Sequence, residues 1–329
     1  MKIAVVILNW NGIHLLKQFL PAVIKHSENA DIYVADNAST DDSIKYLKTN
    51  FPTVHIIKNE SNGGFAKGYN EALKHVKADV FCLLNSDVEV TENWLLPIKK
   101  SFNENPETAI IQPKILDYNQ KDYFEYAGAA GGFIDKFGYP YCRGRIFNTI
   151  EKDIGQYNDE TPIFWASGAC LFIRSKIFKE LHGFDETFFA HMEEIDLCWR
   201  AQHNNYNVFY NGKAVVYHVG GATLSNSNPK KTYLNFRNSL FTLVKNAEGN
   251  ILIIVFLRLV LDGIAGIKFL VEFKFAHFIA IIKAHFSFYA SINYLLRKRK
   301  INKPQFKYYQ TTSIVWDYFI NKKRKYKSL

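Results

Sequence analysis

The sequence predicts an α/β protein built on a doubly wound mixed sheet and followed by an apolar helical extension. Over the first hundred residues short apolar runs alternate with amphipathic helical stretches, and each run stops at a polar cluster. Beyond residue 246 the composition changes to long apolar stretches and then a basic tail. The central run, residues 80–84, is continuously apolar, as in a strand buried on both faces, and stops at Asn85-Ser86-Asp87. In open α/β sheets ligands sit beyond the carboxyl ends of the strands, so Asp87 would stand at the mouth of a cleft. A carboxylate there can hold a hard divalent cation, and through it a diphosphate. Read alone, the triplet serves equally well to open a helix over residues 91–102.

In order, strands are expected at residues 3–8, 32–35, 54–57, 80–84 and 109–112, with helices at 14–26, 42–50 and 66–76. The parallel strands imply right-handed crossovers, which bring the polar clusters to one sheet edge. Asn9-Trp10-Asn11-Gly12 ends the first strand, and Asp36 ends the second, where it can bond a base or ribose. Ser39, Thr40 and Asp41 read as capping of the next helix. Asn62-Gly63-Gly64 allows close backbone approach to a ligand ahead of the helix that carries Asn70, and equally allows a plain turn. No GxGxxG follows the first strand and no Walker lysine is present, which removes the main support for dinucleotide or ATP binding.

The 48% hydrophobic content is ample for a large core. Residues 297–329 hold eleven of the 41 Lys and Arg and one of the 31 Asp and Glu, so the formal charge of +10 belongs to the tail and the body is neutral. Cys82, Cys142, Cys170 and Cys198 are far apart in apolar surroundings, as reduced core thiols of a cytosolic compartment would be. The first apolar run leads directly into Asn9-Trp10 rather than into a cleavage site, so the catalytic body is expected to stay inside the cell.

Taken jointly, residues 5–12, 36–41, 62–70 and 84–87 closely resemble the family-2 glycosyltransferases of the GT-A fold, particularly the rhamnosyltransferase-like branch. The resemblance covers roughly residues 1–246. It implies donor contacts from Asn9, Asn11, Asp36, Asn62, Gly63, Gly64, Asn70 and Asn85, and metal ligation by Asp87. Asn85 stands where the family has its first acidic residue, so Asp87 is the only carboxylate this loop offers.

Residues 128–145 read as a connection long enough to be a lid or an acceptor surface. Residues 163–173 read as a strand broken at Ser167-Gly168-Ala169; the resemblance places this break under sugar and acceptor. Trp165 is there a stacking platform or a core residue. Residues 188–200 bring Glu193, Glu194 and Asp196 together among apolar side chains, which is costly unless a cation or a shared proton relieves them. In the family this is the place of the general base; Glu194 replaces the usual Asp, so both Glu193 and Glu194 are candidates. Asp196 and Arg200 have the spacing of a helical ion pair. His218 ends a further strand, and the matching family position binds metal. Arg237, Asn238 and Lys245 lie on a helix over residues 233–246 and either neutralise a diphosphate or cap the helix.

In residues 251–274 Arg258, Asp262, Lys268 and Glu272 share one stripe and leave a wide apolar face. Residues 275–296 are interrupted by His277, Lys283 and His285. These stretches read as two helices that lie in the membrane interface or pack as a hairpin, with the basic runs 297–300 and 322–325 facing anionic lipid rather than nucleic acid.

The expectation is therefore two regions, a GT-A domain at 1–246 and a membrane-associating extension at 247–329, on the cytoplasmic face of the inner or plasma membrane. The function implied is an inverting, Mg2+- or Mn2+-dependent hexosyl- or rhamnosyltransferase-like enzyme. Its donor would be a nucleoside diphosphate sugar and its acceptor a lipid-linked or cell-surface glycan. Two rivals are a nucleotidyltransferase on the same sheet and a membrane-attached glycan-binding protein without catalysis.

Overall fold

The structure, a computed structural model, describes residues 1–220, 228–299 and 307–329. Strands β1 (Ile3–Asn9), β2 (Ala30–Asp36), β3 (His55–Lys58) and β4 (Val80–Asn85) alternate with helices α1 (Ile13–His26), α2 (Ser43–Asn50) and α3 (Gly64–Leu73). The four strands pair in parallel, in the order β3-β2-β1-β4. Then come β5 (Val88–Val90), α4 (Leu95–Glu104) and β6 (Thr108–Asp117). The helix expected from residue 91 begins only at Leu95, because the Thr91 hydroxyl is spent on the Val215 carbonyl, 2.8 Å away, and holds residues 88–91 against a strand.

Residues 128–145 are not a free lid. They carry the first strands of a small antiparallel sheet, β7 (Gly132–Ile134), β8 (Pro140–Cys142), β9 (Arg145–Ile146) and β10 (Thr149–Ile150). Beyond β11 (Glu160–Pro162), the strand expected over 163–173 is confined to β12 (Cys170–Arg174), since Ser167 turns the chain by donating its backbone N–H to Gln112 Oε1 at 2.8 Å. Helices α5 (Ser175–Glu180) and α6 (Glu193–His203) and strand β13 (Asn207–His218) follow. The main sheet runs β11-β13-β6-β12-β4-β1-β2-β3, with β5 on β13. β12 is antiparallel to both β4 and β6, and β13 is parallel to β6. Consequently β1 to β4, β6 and β13 all end at one edge, and Asn9, Asp36 and Asn85 stand there in adjoining register.

α7 (Pro229–Asn246) closes the first region, and the extension comprises α8 (Ile251–Val271), α9 (Phe275–Lys298) and the short α10 (Ile314–Phe319). α7 and α9 lie side by side, joined by Thr232 Oγ1 and His277 Nδ1 at 2.7 Å near one end and by Arg299 donating to the Val244 and Ala247 carbonyls near the other. One apolar core continues from Phe81 and Trp199 through Phe288 and Leu295 to Tyr308, Ile314 and Tyr318. The change of composition after residue 246 is thus no break in packing. The basic tail is likewise folded back: Ile314 donates its N–H to Asp135 Oδ2 at 2.9 Å, and Tyr318 and Thr149 share a hydrogen bond of 2.9 Å. Of the basic runs, Lys300 lies outside the described residues.

α8 has the wrong polarity for water. Arg258 and Asp262, half of the polar stripe, are buried, whereas Leu252, Phe256, Val260, Ile264, Ile267 and Val271 are exposed. Arg258 donates to Asp262 Oδ1 at 2.7 Å, to the Phe137 carbonyl at 3.0 Å and to Ser239 Oγ at 2.6 Å, while the Tyr139 hydroxyl donates to Asp262 Oδ1 at 2.8 Å. This network pins α8 to α7 and to the β7–β8 turn. Removing one partner strands a buried charge, so Arg258→Ala should cost about 3–5 kcal/mol in denaturant unfolding of the detergent-solubilised chain. The apolar pair Arg258→Met with Asp262→Leu should recover most of that loss; equal losses in both variants would contradict the pairing.

Candidate active site

The site begins where β4 and β13 end. β5 pairs with the last residues of β13, setting His218 opposite Val88 and the Val219 N–H on the Asp87 carbonyl at 3.1 Å. Residues far apart in the chain thereby meet: Asp87 Oδ1 is 3.2 Å from His218 Nε2, and the Asn85 amide nitrogen is 3.4 Å from the same ring atom. On the far side of the ring Glu125 Oε1 lies 3.4 Å from Nδ1. Burial works to lower the His218 pKa, but Glu125 and Asp87 push it up to about 10. For Asp87, burial works upward and is outweighed by the His218 imidazolium, which holds the carboxyl below its usual range. The pocket is therefore organised to stabilise positive charge.

Among the described residues no three His, Cys, Asp or Glu side chains gather at one cation-sized point. A carboxylate oxygen, an imidazole nitrogen and the Asn85 amide do converge, and a half-turn of that amide brings its oxygen to the place of its nitrogen. These donors would fit a single Mn2+ or Mg2+ ion, with Asp87, His218 and Asn85 as the residues to hold it. Glu125, behind the ring, would fix the imidazole tautomer.

Along the same edge, Asp36 is buried and accepts from the Asn9 amide at 3.0 Å and the Ser39 N–H at 2.9 Å. Asn11 accepts from the Thr40 N–H at 2.7 Å. Asn9, Asn11 and Asp36 thus shape the two loops flanking β1 and β2, above which Trp10 is half exposed. Asn62 Oδ1 accepts from the Gly64 N–H at 3.0 Å. Gly64 has φ of +79°, and a Cβ there would meet the Phe189 carbonyl oxygen at 2.4 Å. The close approach allowed by Gly63-Gly64 is therefore made by the protein's own loop, whose Phe189 carbonyl accepts from the Phe65 N–H at 2.7 Å.

That loop leads to α6 and is strained: Phe189, His191 and Met192 have φ of 64°, 69° and 75°. Asn238 holds it, donating from one amide to the Phe188, Ala190 and His191 carbonyls at 3.0, 2.9 and 2.7 Å. Arg237 adds donations to the Thr187 and Phe188 carbonyls, both at 3.0 Å. Asn70 ties the preceding segment, giving to the Phe184 carbonyl and receiving from its N–H, both at 2.9 Å. The amide of Asn70 and the guanidinium of Arg237 thus position backbone, where the sequence suggested donor contact. Trp165 is buried and gives its indole N–H to the Phe133 carbonyl at 2.8 Å, so of its two readings the core one describes its surroundings.

Glu193 and Glu194 open α6, each with one oxygen that finds no hydrogen-bond partner among the described residues. Burial raises Glu194 to about 7, and burial with the adjacent Glu194 charge raises Glu193 well above the usual carboxylate range. Asp196 behaves oppositely: complete burial works upward, but Lys245 at 2.8 Å and Arg200 at 2.8 Å hold it well below. Lys245 also pairs with Asp185 at 2.6 Å, which makes it a core cation rather than a diphosphate ligand. Burial, with the charge of Lys231 on the first turn of α7, lowers His191 to about 4, and burial lowers Lys231 itself against the opposing pull of Glu125. Glu125 was not legible as a site residue, since a lone Glu in an irregular segment carries no distinguishing spacing; Asn238 was picked out, but for a diphosphate or a helix cap rather than for the loop it holds.

The sequence profile of Glycosyl transferase family 2 matches residues 4–182, more than half of the chain. The chain belongs to that family. This family-2 glycosyltransferase is 22% identical over 211 residues to a low-salt glycan biosynthesis hexosyltransferase of Haloferax volcanii, covering 63% of each chain. It is 24% identical over 201 residues to an N-acetylglucosaminyl-diphospho-decaprenol L-rhamnosyltransferase of Mycobacterium tuberculosis, covering 55% of this chain and 64% of that one. The match thus spans just under two thirds of the length of these relatives. The crystal structure of GalNAc-T7 with UDP, GalNAc and Mn2+ superposes with a TM-score of 0.58 at 16% identity, over 74% of this chain and 48% of that one. That likeness establishes the GT-A fold. Within it, Asn238→Ala should lower stability by about 1–3 kcal/mol and speed amide exchange at residues 186–192 more than in α3. Uniform exchange changes would deny the clamp.

Proposed function

We propose that this chain is an inverting, divalent-cation-dependent glycosyltransferase that moves a sugar from a nucleoside diphosphate sugar to a hydroxyl of a lipid-linked or cell-surface glycan. The observation that carries this reading is the pairing of two environments at one sheet edge. One, around Asp87 and His218, favours positive charge; the other, around Glu193 and Glu194, favours a carboxyl that takes up a proton near neutrality. A bound Mn2+ or Mg2+ supplies charge neutralisation for the leaving diphosphate. Asp87 and His218 hold that position, Asn85 and the loops of Asn9, Asn11, Asp36, Asn62 and Gly63-Gly64 frame the nucleotide, and Glu194 or Glu193 accepts the acceptor's proton. Direct displacement at the anomeric carbon then inverts its configuration. A nucleotidyltransferase would release pyrophosphate instead, and a protein without catalysis would release nothing; product analysis separates all three.

The extension suits work at an anionic membrane surface. α8 turns Arg258 and Asp262 inward and many of its apolar side chains outward, and Lys322, Lys323, Arg324 and Lys325 follow an exposed Trp316, Phe319 and Ile320. α9 is long and apolar enough to cross a bilayer by length and composition. Its length is nevertheless fastened to the catalytic body, from Thr232 at the start through Tyr294, which donates to Asp185 at 3.2 Å, to Arg299 at the end. That fastening favours a helix lying on the surface. The Mycobacterium tuberculosis relative, by its name, acts on a diphospho-decaprenol substrate, which agrees with such a location at the cytoplasmic leaflet.

Asp87→Ala and His218→Ala should each abolish Mn2+-dependent binding of nucleoside diphosphate in calorimetry; unchanged affinity would remove the metal assignment. Glu194→Gln should cut turnover by about 10²-fold or more while keeping donor affinity. Because the base works deprotonated and its pKa is raised to about 7, wild-type kcat should climb as pH rises through about 7. If Glu193→Gln is the inactive variant, the base is its neighbour. Changing Phe256, Val260 and Ile267 to Ser should release the chain from anionic vesicles without loss of stability, since all three are exposed; retained flotation would place the membrane contact elsewhere.

A further inference from the structure

A groove of about 280 Å3 runs along the seam between the first turns of α7 and of α9, beside the Thr232–His277 hydrogen bond. Ile279 and Ala280 form an apolar floor, and Lys230, Tyr233 and Lys283 form its polar rim. Both lysines are exposed, and among the described residues no carboxylate pairs with either. Two cations over an apolar floor are complementary to one kind of ligand: a group of concentrated negative charge that carries a hydrocarbon chain. The volume is small for a ligand pocket, as suits a headgroup whose chain stays in the bilayer. An exit for that chain is on hand, because Phe275, Ile279, Ile282 and Phe286 continue the floor as an exposed stripe along α9. In the other direction the groove leads to catalysis. The Lys230 ammonium lies 5.0 Å from the Phe189 ring centre, and Phe189 begins the strained loop that runs into Glu193 and Glu194.

We propose that this groove seats the diphosphate of a polyprenyl-diphosphate-linked acceptor, with Lys230 and Lys283 on the diphosphate, the prenyl chain along the outer face of α9, and the glycan directed toward the Glu193-Glu194 end of the site. This deepens the proposed function by choosing the lipid-linked acceptor over a cell-surface glycan, and it rests on that reading. Ordinary anionic phospholipid presents less charge per headgroup and would not distinguish this groove from the basic tail.

The test uses the full chain and phosphatidylcholine vesicles that contain either undecaprenyl diphosphate or phosphatidylglycerol, matched in surface charge. The wild type should bind the prenyl diphosphate vesicles about tenfold or more tightly, since charge-assisted contacts of two lysines are at stake. Lys230→Glu with Lys283→Glu should lose that preference, and Lys230→Arg with Lys283→Arg should keep it. Lys322→Glu with Lys323→Glu, the same charge change outside the groove, should weaken binding to both vesicles and keep the preference. A wild type without preference, or a Lys230→Glu, Lys283→Glu variant that retains it, overturns the proposal. Binding of nucleoside diphosphate with Mn2+, measured on the same preparations, tests the glycosyl-transfer reading separately.

Discussion

The structure depends on one buried cation. Lys245, on α7, sits between Asp185 and Asp196, and the same Asp196 holds Arg200 and the Asn246 amide at 2.9 Å. Asp185 in turn receives the Tyr294 hydroxyl from α9. Helix α6, the strained loop, α7 and α9 are therefore joined through two carboxylates and a lysine that are almost wholly removed from solvent. Desolvating these charges is expensive, and the geometry repays it only while every partner is present. That requirement fixes the register of α6 against α7. It thereby fixes where Asn238 meets the loop and where Glu193 and Glu194 point.

The contrast between neighbouring carboxylates on α6 follows from this arrangement. Asp196 has cations on two sides and stays ionised, whereas Glu193 and Glu194, a turn earlier, have burial without compensation and are lifted toward or beyond neutrality. Opposite protonation behaviours are separated by only two or three residues of helix. At the opposite side of the cleft the balance is reversed, and Glu125, His218 and Asp87 form a line that welcomes a cation. The fold thus holds two carboxylate environments of opposite electrostatic character.

What was legible in the sequence is what obeys a local rule. Strand ends at Asn9, Asp36, Asn85 and His218 follow from apolar runs stopping at polar residues, because parallel crossovers must return them to one edge. The i,i+4 spacing of Asp196 and Arg200 likewise announced their pair. Residues whose meaning is tertiary were not legible. Arg237 and Lys245 near a phosphate-binding edge look like phosphate ligands, and only the fold shows that they are consumed by loop carbonyls and buried carboxylates. Gly64 signalled a close approach correctly but not what approaches. The polar stripe on α8 was legible, but not that Arg258 and Asp262 within it face the protein while Lys268 and Glu272 face outward, because a helical wheel gives relative directions and cannot say which side meets the protein.

The most direct measurement is the position of the cation itself. A structure of the chain with Mn2+ and a nucleoside diphosphate, with manganese located by its anomalous scattering, should show one ion bonded to Asp87 and His218 and to the diphosphate, with Glu125 retained behind the imidazole. An ion elsewhere, or a diphosphate bound without contact to either residue, would contradict the account.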